Sequence, residues 1–222
     1  MDLFALINAL LALDTVPRII VSVVPMILAI TVHETAHGYV ARYFGDMTAH
    51  LAGRISLNPI RHIDPVGTIL VPSITLLVGG IFFGWAKPVP VDFSKLNHPK
   101  KDMLWVALAG PASNLMMAFI WAIVIKFAPM LPSSMVVPIT FMGTAGIISN
   151  TVLMILNLLP LPPLDGGRIM VSLLPTPYAI QFAKIERFGF IILIVLLVTH
   201  ILDKIMGPLI TGALSMIASL FL

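Results

Sequence analysis

The chain has 222 residues, of which 59% are hydrophobic and only 10% are charged. This balance excludes a soluble globular protein and predicts one integral-membrane domain over residues 1–222. The net charge of +3 is spread through loops without a basic run, which argues against nucleic acid as a partner, and the absence of cysteine excludes thiolate metal ligands.

The apolar stretches predict an all-α bundle of about four to six transmembrane helices. Each helix needs roughly 20 apolar residues to cross a ~30 Å hydrocarbon core. The first stretch, Leu3 to Leu13, is too short to span comfortably and is expected to lie at the interface or to insert partly. The segments long enough to cross are Ile19 to Phe44, Met103 to Phe127, Met135 to Leu159 and Phe188 to Ile205. A short apolar tail follows Gly207 and Pro208.

The segment between the first two spans is ambiguous. Gly45 to Pro65 combines turn residues, arginines and alternating apolar positions, which predicts short strands or a β-hairpin. Val66 to Phe83 is apolar, with Pro72 and the Gly79-Gly80 pair as bend points. It either re-enters the membrane or crosses it, and we favour re-entry because the loops on both sides are rich in Arg and Lys.

Loop charges also predict the orientation of the bundle. The turn from Ala128 to Ser134 has no charged residue, whereas the loops at the other end of the spans carry Lys and Arg, which stay on the cytoplasmic side. We therefore expect a multi-pass protein of the cell or cytoplasmic membrane, in direct contact with the lipid bilayer, whose Ala128 to Ser134 turn faces outward.

The motif HETAH, residues 33 to 37, lies in the first span. His33 and His37 are four residues apart, so on a helix their imidazoles lie on one face about one turn apart, which suits two ligands of one metal ion. Glu34 stands where its carboxylate can reach a water on Zn²⁺ without being a ligand. A charge at mid-membrane costs roughly 2.5 to 3.5 kcal/mol, so a metal site explains Glu34 better than a purely structural role does.

The depth of this motif follows from helix geometry. Counted back from Phe44 with a rise of about 1.5 Å per residue, His33 lies about 16 Å inside the polar end of its helix. The predicted metal site is therefore within the membrane and nearer the cytoplasmic face.

The third ligand of the metal is open at this point, since a catalytic zinc usually has three protein ligands. Asp165 is a candidate because it stands at the end of NLLPLPPLDGG, a stretch in which prolines break an apolar helix. The two glycines after Asp165 let the backbone turn sharply. An ordinary Asp-Gly turn explains Asp165 equally well. Other candidates lie in polar loops or near a helix end: His50, His62, His98 and His200.

Three motifs together resemble the site-2 protease family of intramembrane zinc metalloproteases. They are HETAH at 33 to 37, GPASN at 110 to 114 and NLLPLPPLDGG at 157 to 167. No segment is long or polar enough for the PDZ or CBS domains of larger family members, so the chain is similar to a minimal catalytic form. The resemblance also implies hydrolysis of peptide bonds in or near transmembrane segments of membrane-protein substrates.

The resemblance implies specific roles for four residues. His33, His37 and Asp165 would bind one Zn²⁺ per chain, and Glu34 would be the general base that activates a zinc-bound water. The loop from Ala49 to Asn58 is expected to offer a strand edge that pairs with an unwound substrate.

Two asparagines have alternative roles. Asn114 either belongs to the family's element beside the active-site helix or forms an interhelical hydrogen bond worth about 0.6 to 2 kcal/mol. Asn157 matches an asparagine that the family places near the substrate and the metal, and we favour substrate contact or stabilisation of the oxyanion.

Two other classes of protein explain part of the pattern. A zinc-binding membrane transporter would also place histidines and acids in its spans, but it should show a relay of ionisable residues along several helices. The spans after Met103 are nearly free of them. A non-catalytic membrane assembly protein would leave the cost of burying Glu34 unexplained.

Overall fold

A computed structural model describes residues 2–70 and 87–222 of the chain. These residues form helices and loops and contain no strand, which confirms the predicted all-α membrane fold. In chain order the α-helices are α1 (Leu3–Leu11), α2 (Thr15–Tyr43), α3 (Thr48–Leu51), α4 (Pro99–Phe127), α5 (Ser133–Leu158), α6 (Asp165–Leu173), α7 (Thr176–Ala183), α8 (Glu186–Val198) and α9 (Ile201–Phe221). Shorter helical turns lie at Pro59–His62, Pro65–Leu70, Phe93–Lys95 and Ala128–Met130.

Four helices of the described part are long and apolar enough to cross a membrane, namely α2, α4, α5 and α9. The first three correspond to the predicted spans that begin at Ile19, Met103 and Met135. The short first stretch forms α1, whose first turn is capped by Asp2, since its carboxylate accepts the Phe4 N–H at 2.9 Å.

The prediction of a span from Phe188 to Ile205 is wrong. α8 ends at Val198, and His200 takes a left-handed backbone conformation with φ 57° before α9 begins. His200 Nδ1 lies 2.9 Å from a carboxylate oxygen of Asp203, so a local polar pair stands where the apolar run was expected to continue. The predicted tail lies within α9, which continues through Pro208. A proline inside a helix removes only one backbone hydrogen bond.

The described part of the connection between α2 and α4 also differs from its prediction. The expected short strands do not form within residues 45–65. Instead Asp46 accepts the Thr48 N–H at 2.9 Å and begins α3, and Asn58 accepts the Ile60 N–H at 3.1 Å and begins a 3₁₀ turn. These side chains satisfy backbone donors locally, so the backbone turns rather than extends. Most of Val66 to Phe83, for which re-entry is favoured, lies outside the described residues.

The centre of the bundle is formed by α2, α4 and α5, which pack against one another. Near the α4–α5 turn, Ala118 and Ala122 of α4 are fully buried in a cluster that also includes Leu3 of α1 and Ile217 of α9. Small residues at these positions let the helices approach closely. At the charged end, the Asn97 N–H donates to the Phe44 carbonyl at 2.8 Å, which joins the end of α2 to the start of α4. The two helices are thereby antiparallel, and α4 runs past the HETAH turn.

Candidate metal centre

Three side chains from α2 and α6 converge inside the bundle. His33 Nε2 and His37 Nε2 lie 3.2 and 3.3 Å from the same carboxylate oxygen of Asp165, Oδ2, and 3.1 Å from each other. His33 and Asp165 are both buried, with 6% and 9% of their surface exposed. These residues are the group of potential metal ligands found in the described part of the chain.

The second nitrogen of each imidazole has an oxygen partner. His33 Nδ1 lies 2.6 Å from the side-chain oxygen of Asn114, and His37 Nδ1 lies 2.7 Å from the backbone carbonyl of Val106. An oxygen in either position accepts, so each Nδ1 carries the proton. Each Nε2 is then the nitrogen that faces Asp165 and can bind a metal ion, as in metal-binding histidines whose other nitrogen donates to an oxygen.

This arrangement is electrostatically incomplete without a cation. Two imidazole nitrogens and one carboxylate oxygen converge, and Asp165 Oδ2 is buried without a hydrogen-bond partner. The basic residue nearest in sequence, Arg168, stacks on the Phe93 ring at 4.8 Å and approaches Glu186 at 3.8 Å instead. Two nitrogens and one oxygen are a donor set that suits Zn²⁺ and leaves a position open for water. The residues therefore fit a catalytic zinc ion.

Space for the imidazoles comes from a glycine of α4. A Cβ atom added to Gly110 would lie 2.4 Å from His37 Nε2 and 2.5 Å from His33 Cε1, which is closer than real Cβ contacts. Val106, Gly110 and Asn114 recur every four residues and so share one face of α4. That face therefore supplies the carbonyl for His37, the space for both rings and the amide for His33.

Asp165 reaches the histidines because the chain breaks after α5. α5 ends at Leu158, and α6 begins at Asp165 after a turn that contains the cis peptide bond between Pro162 and Pro163. A Cβ on Gly166 would lie 2.3 Å from the carbonyl oxygens of Leu158 and Leu159. The first turn of α6 thus packs on backbone, which only glycine permits.

The structure also distinguishes among the candidates for the third metal ligand. Asp165 is not merely part of a turn, because its carboxylate faces both imidazoles. The four other histidines contact different groups. His50 lies beside Arg42, His62 beside the Ser56 carbonyl, His98 beside Asp102 and His200 beside Asp203.

Glu34 is held by the backbone rather than by a basic side chain. Its Oε2 accepts the Val89 N–H at 2.7 Å. Val89 stands between Pro88 and Pro90, which have no N–H, so it is the one donor of this Pro-Val-Pro stretch. One carboxylate oxygen of Glu34 is thus oriented by the stretch.

The two predicted asparagines lie in different surroundings, and the substrate contact of Asn157 stays a prediction. Asn114 bonds directly to His33, so its interhelical hydrogen bonds are part of the candidate site. Asn157 is half-buried, its amide donates to the Leu153 carbonyl at 3.0 Å, and among the described residues it makes no hydrogen bond to the histidines or Asp165. Asn150 of α5 was missed, although it bonds to Asn114 at 2.9 Å. The available signal was its place two helical turns before Asn157, on the same face of a helix that has no charged residue.

Comparison with known proteins finds relatives that are named as zinc metalloproteases. The sequence profile of peptidase family M50 matches residues 128–200. YwhC of Bacillus subtilis, named as a zinc metalloprotease, is 39% identical over 203 residues, which cover 90% of this chain and 90% of YwhC. Rip2 of Mycolicibacterium smegmatis and Rip2 of Mycobacterium tuberculosis, with the same description, are 29% and 28% identical over 80% of this chain and 66% of their own length. No solved structure matches the chain significantly.

Proposed function

Because this chain belongs to peptidase family M50 and is a zinc metallopeptidase with several membrane-spanning helices, we propose that it hydrolyses peptide bonds in or near the transmembrane segments of membrane-protein substrates. The observation that carries this proposal is the convergence of His33, His37 and Asp165 beside a membrane-spanning helix. His33 is ten residues from Tyr43, the end of α2, which corresponds to about 15 Å. A substrate would therefore be cut below the membrane surface.

The orientation of the site is part of the same proposal. The charged loops at the Tyr43 end of α2 favour the cytoplasmic side, whereas the turn between α4 and α5 has no charge. We therefore expect a site nearer the cytoplasmic face of the cell membrane.

His33, His37 and Asp165 would bind one Zn²⁺ per chain. When bound, zinc would lower the pKa of a water molecule and polarise the scissile carbonyl. Glu34, oriented by the Val89 N–H, would take a proton from the attacking water as its oxygen bonds to the carbonyl carbon. Glu34 would then pass that proton to the amide nitrogen as the C–N bond breaks, which yields a carboxyl end and an amine end.

Asn157 is proposed to contact the substrate. Its amide group has two N–H donors, and within the described residues one of them is occupied, by the Leu153 carbonyl. The second donor could stabilise the oxyanion that develops on the scissile carbonyl.

Metal removal tests the proposed function. A chelator is expected to abolish cleavage of single-span substrates by the purified chain in liposomes, and one equivalent of zinc should restore it.

Asp165→Ala is expected to lower the zinc stoichiometry measured by elemental analysis, because two imidazoles alone bind weakly. Asp203→Ala is the matched control, since this carboxylate is exposed and pairs with His200 instead. Unchanged zinc in Asp165→Ala would remove Asp165 from the ligand set, and zinc flux into liposomes without cleavage would favour a transporter.

Replacing Val89 with proline tests the orientation of Glu34. The substitution removes the N–H that donates to Glu34 and is expected to lower kcat about ten- to hundredfold, since a hydrogen bond to a charged group contributes about 1.5–3 kcal/mol. Zinc stoichiometry should not change, because no zinc ligand is touched. Val89→Ala keeps the N–H and should keep a kcat close to that of the wild type. An equal loss of kcat in both variants would show that the Val89 side chain, not its N–H, is required.

A further inference from the structure

We propose that Asn150 is a positioning residue of the metal centre, which acts through the Asn114 amide to hold His33 in its zinc-binding tautomer. This inference rests on the proposed role of His33 as a zinc ligand. Asn150 lies on α5 and does not contact His33, so it would act only through Asn114.

The orientation of the amide groups in this hydrogen-bond chain follows from the partners of Asn150. Its Nδ2 donates to the backbone carbonyl of Gly146 at 2.8 Å. A carbonyl only accepts, so the side-chain oxygen of Asn150 must point the other way. That oxygen accepts from Asn114 Nδ2 at 2.9 Å.

A second carbonyl group favours the same orientation of the Asn114 amide. Asn114 Nδ2 also donates to the Ala29 carbonyl of α2 at 3.2 Å, so both its N–H groups have acceptors. Its oxygen is left facing His33 Nδ1 at 2.6 Å. His33 therefore carries a proton on Nδ1, which leaves Nε2, the nitrogen that faces Asp165, as the one that can bind a metal ion.

The opposite amide orientation would damage the metal site. A rotated Asn114 would present its NH₂ group to His33 Nδ1, which would then have to accept. The imidazole proton would move to Nε2, the atom needed for zinc. The hydrogen bonds to the Gly146 and Ala29 carbonyls oppose this rotation, and solvent does not replace them because Asn114 and Asn150 are both fully buried.

Loss of Asn150 would weaken the preference for the Asn114 orientation that presents its oxygen to His33. Without the Asn150 oxygen, one buried N–H of Asn114 has no acceptor, and an unsatisfied buried donor costs about 1–3 kcal/mol. The rotated amide then competes with the native one. A purely structural Asn150 would contribute only an interhelical hydrogen bond between α4 and α5, with no effect on zinc affinity in the folded protein.

The test compares zinc affinity and stability in the full chain. Asn150→Leu is expected to raise the dissociation constant for zinc by about 10- to 100-fold in competition with a chelator, as for other residues that support metal ligands. Asn150→Asp, as the neutral acid, has an oxygen for Asn114 and an O–H for Gly146 and should restore an affinity near the wild-type value. Asn114→Leu should weaken zinc binding similarly, and the double variant should be no weaker than Asn114→Leu, because Asn150 acts through Asn114.

Thr144→Val is the matched control. Thr144 is also fully buried on α5, but its hydroxyl donates to the Thr140 carbonyl of the same helix at 2.8 Å and has no link to the site. It should change thermal stability without changing zinc affinity. Asn150→Leu with wild-type zinc affinity would overturn the inference, as would additive effects of Asn114→Leu and Asn150→Leu.

A measurement on the wild type covers the case in which Asn150→Leu does not fold. In metal-free protein with ¹⁵N-labelled histidine, His33, assigned by comparison with His33→Gln, should be protonated at Nδ1. An Nδ1 without a proton would overturn the inference. A wild type that binds no zinc would overturn the metal site together with this inference, whereas zinc binding that is insensitive to Asn150→Leu would overturn the role of Asn150 alone.

Discussion

Glu34→Gln is expected to lower kcat for cleavage of a membrane-spanning substrate by about 10²- to 10⁴-fold, which is the usual contribution of a general acid-base group. Glutamine has nearly the same shape, and its side-chain carbonyl can still accept the Val89 N–H that Glu34 accepts at 2.7 Å. The fold and the histidines should therefore stay in place. What is lost is the ability to take a proton from water.

The measurement is single-turnover cleavage in liposomes together with zinc stoichiometry on the same sample. Zinc should remain bound, since Glu34 is not among the converging ligands. Glu186→Gln is a suitable control, because that carboxylate is exposed on α8 and contacts Arg168 at 3.8 Å. Near wild-type cleavage by Glu34→Gln would exclude Glu34 as the base.

Gly110→Ala is expected to weaken zinc binding by about a hundredfold and to reduce cleavage correspondingly. The added methyl group would lie 2.4 Å from His37 Nε2 and 2.5 Å from His33 Cε1, so at least one ring must leave its position. Losing a residue that supports a metal ligand already costs 10- to 100-fold in affinity, and here at least one ligand is itself displaced.

A second glycine provides the control for packing effects. A Cβ on Gly143 of α5 would meet Ile125 Cγ1 at 2.4 Å, which strains the α4–α5 contact away from the histidines. Gly143→Ala is expected to lose about 1–3 kcal/mol of stability through overpacking, while its folded fraction should bind zinc normally. The zinc dissociation constants of the two variants are compared with that of the wild type. Wild-type affinity in Gly110→Ala would show that the imidazoles do not need the space that Gly110 leaves.

The membrane architecture was largely predictable because hydropathy is a local property. The spans that became α2, α4 and α5 follow from runs of apolar residues, and the four-residue interval between His33 and His37 follows from the helical period. The boundary between α8 and α9 was less predictable. The apolar run around Phe188 to Ile205 continues through the break at His200, and only the polar pair with Asp203 marks the new helix.

The sequence by itself therefore determined a helical membrane protein with two histidines on one helix face and an acid beside them. The tertiary structure decided which carboxylate meets those histidines, which amide and carbonyl hold their second nitrogens, and which backbone N–H orients Glu34. The contact between His33 and Asn114 joins residues 81 positions apart, and that between Glu34 and Val89 joins residues 55 apart. No local period encodes such pairs, because they depend on how helices pack in space and on where glycines and prolines let the backbone approach or turn.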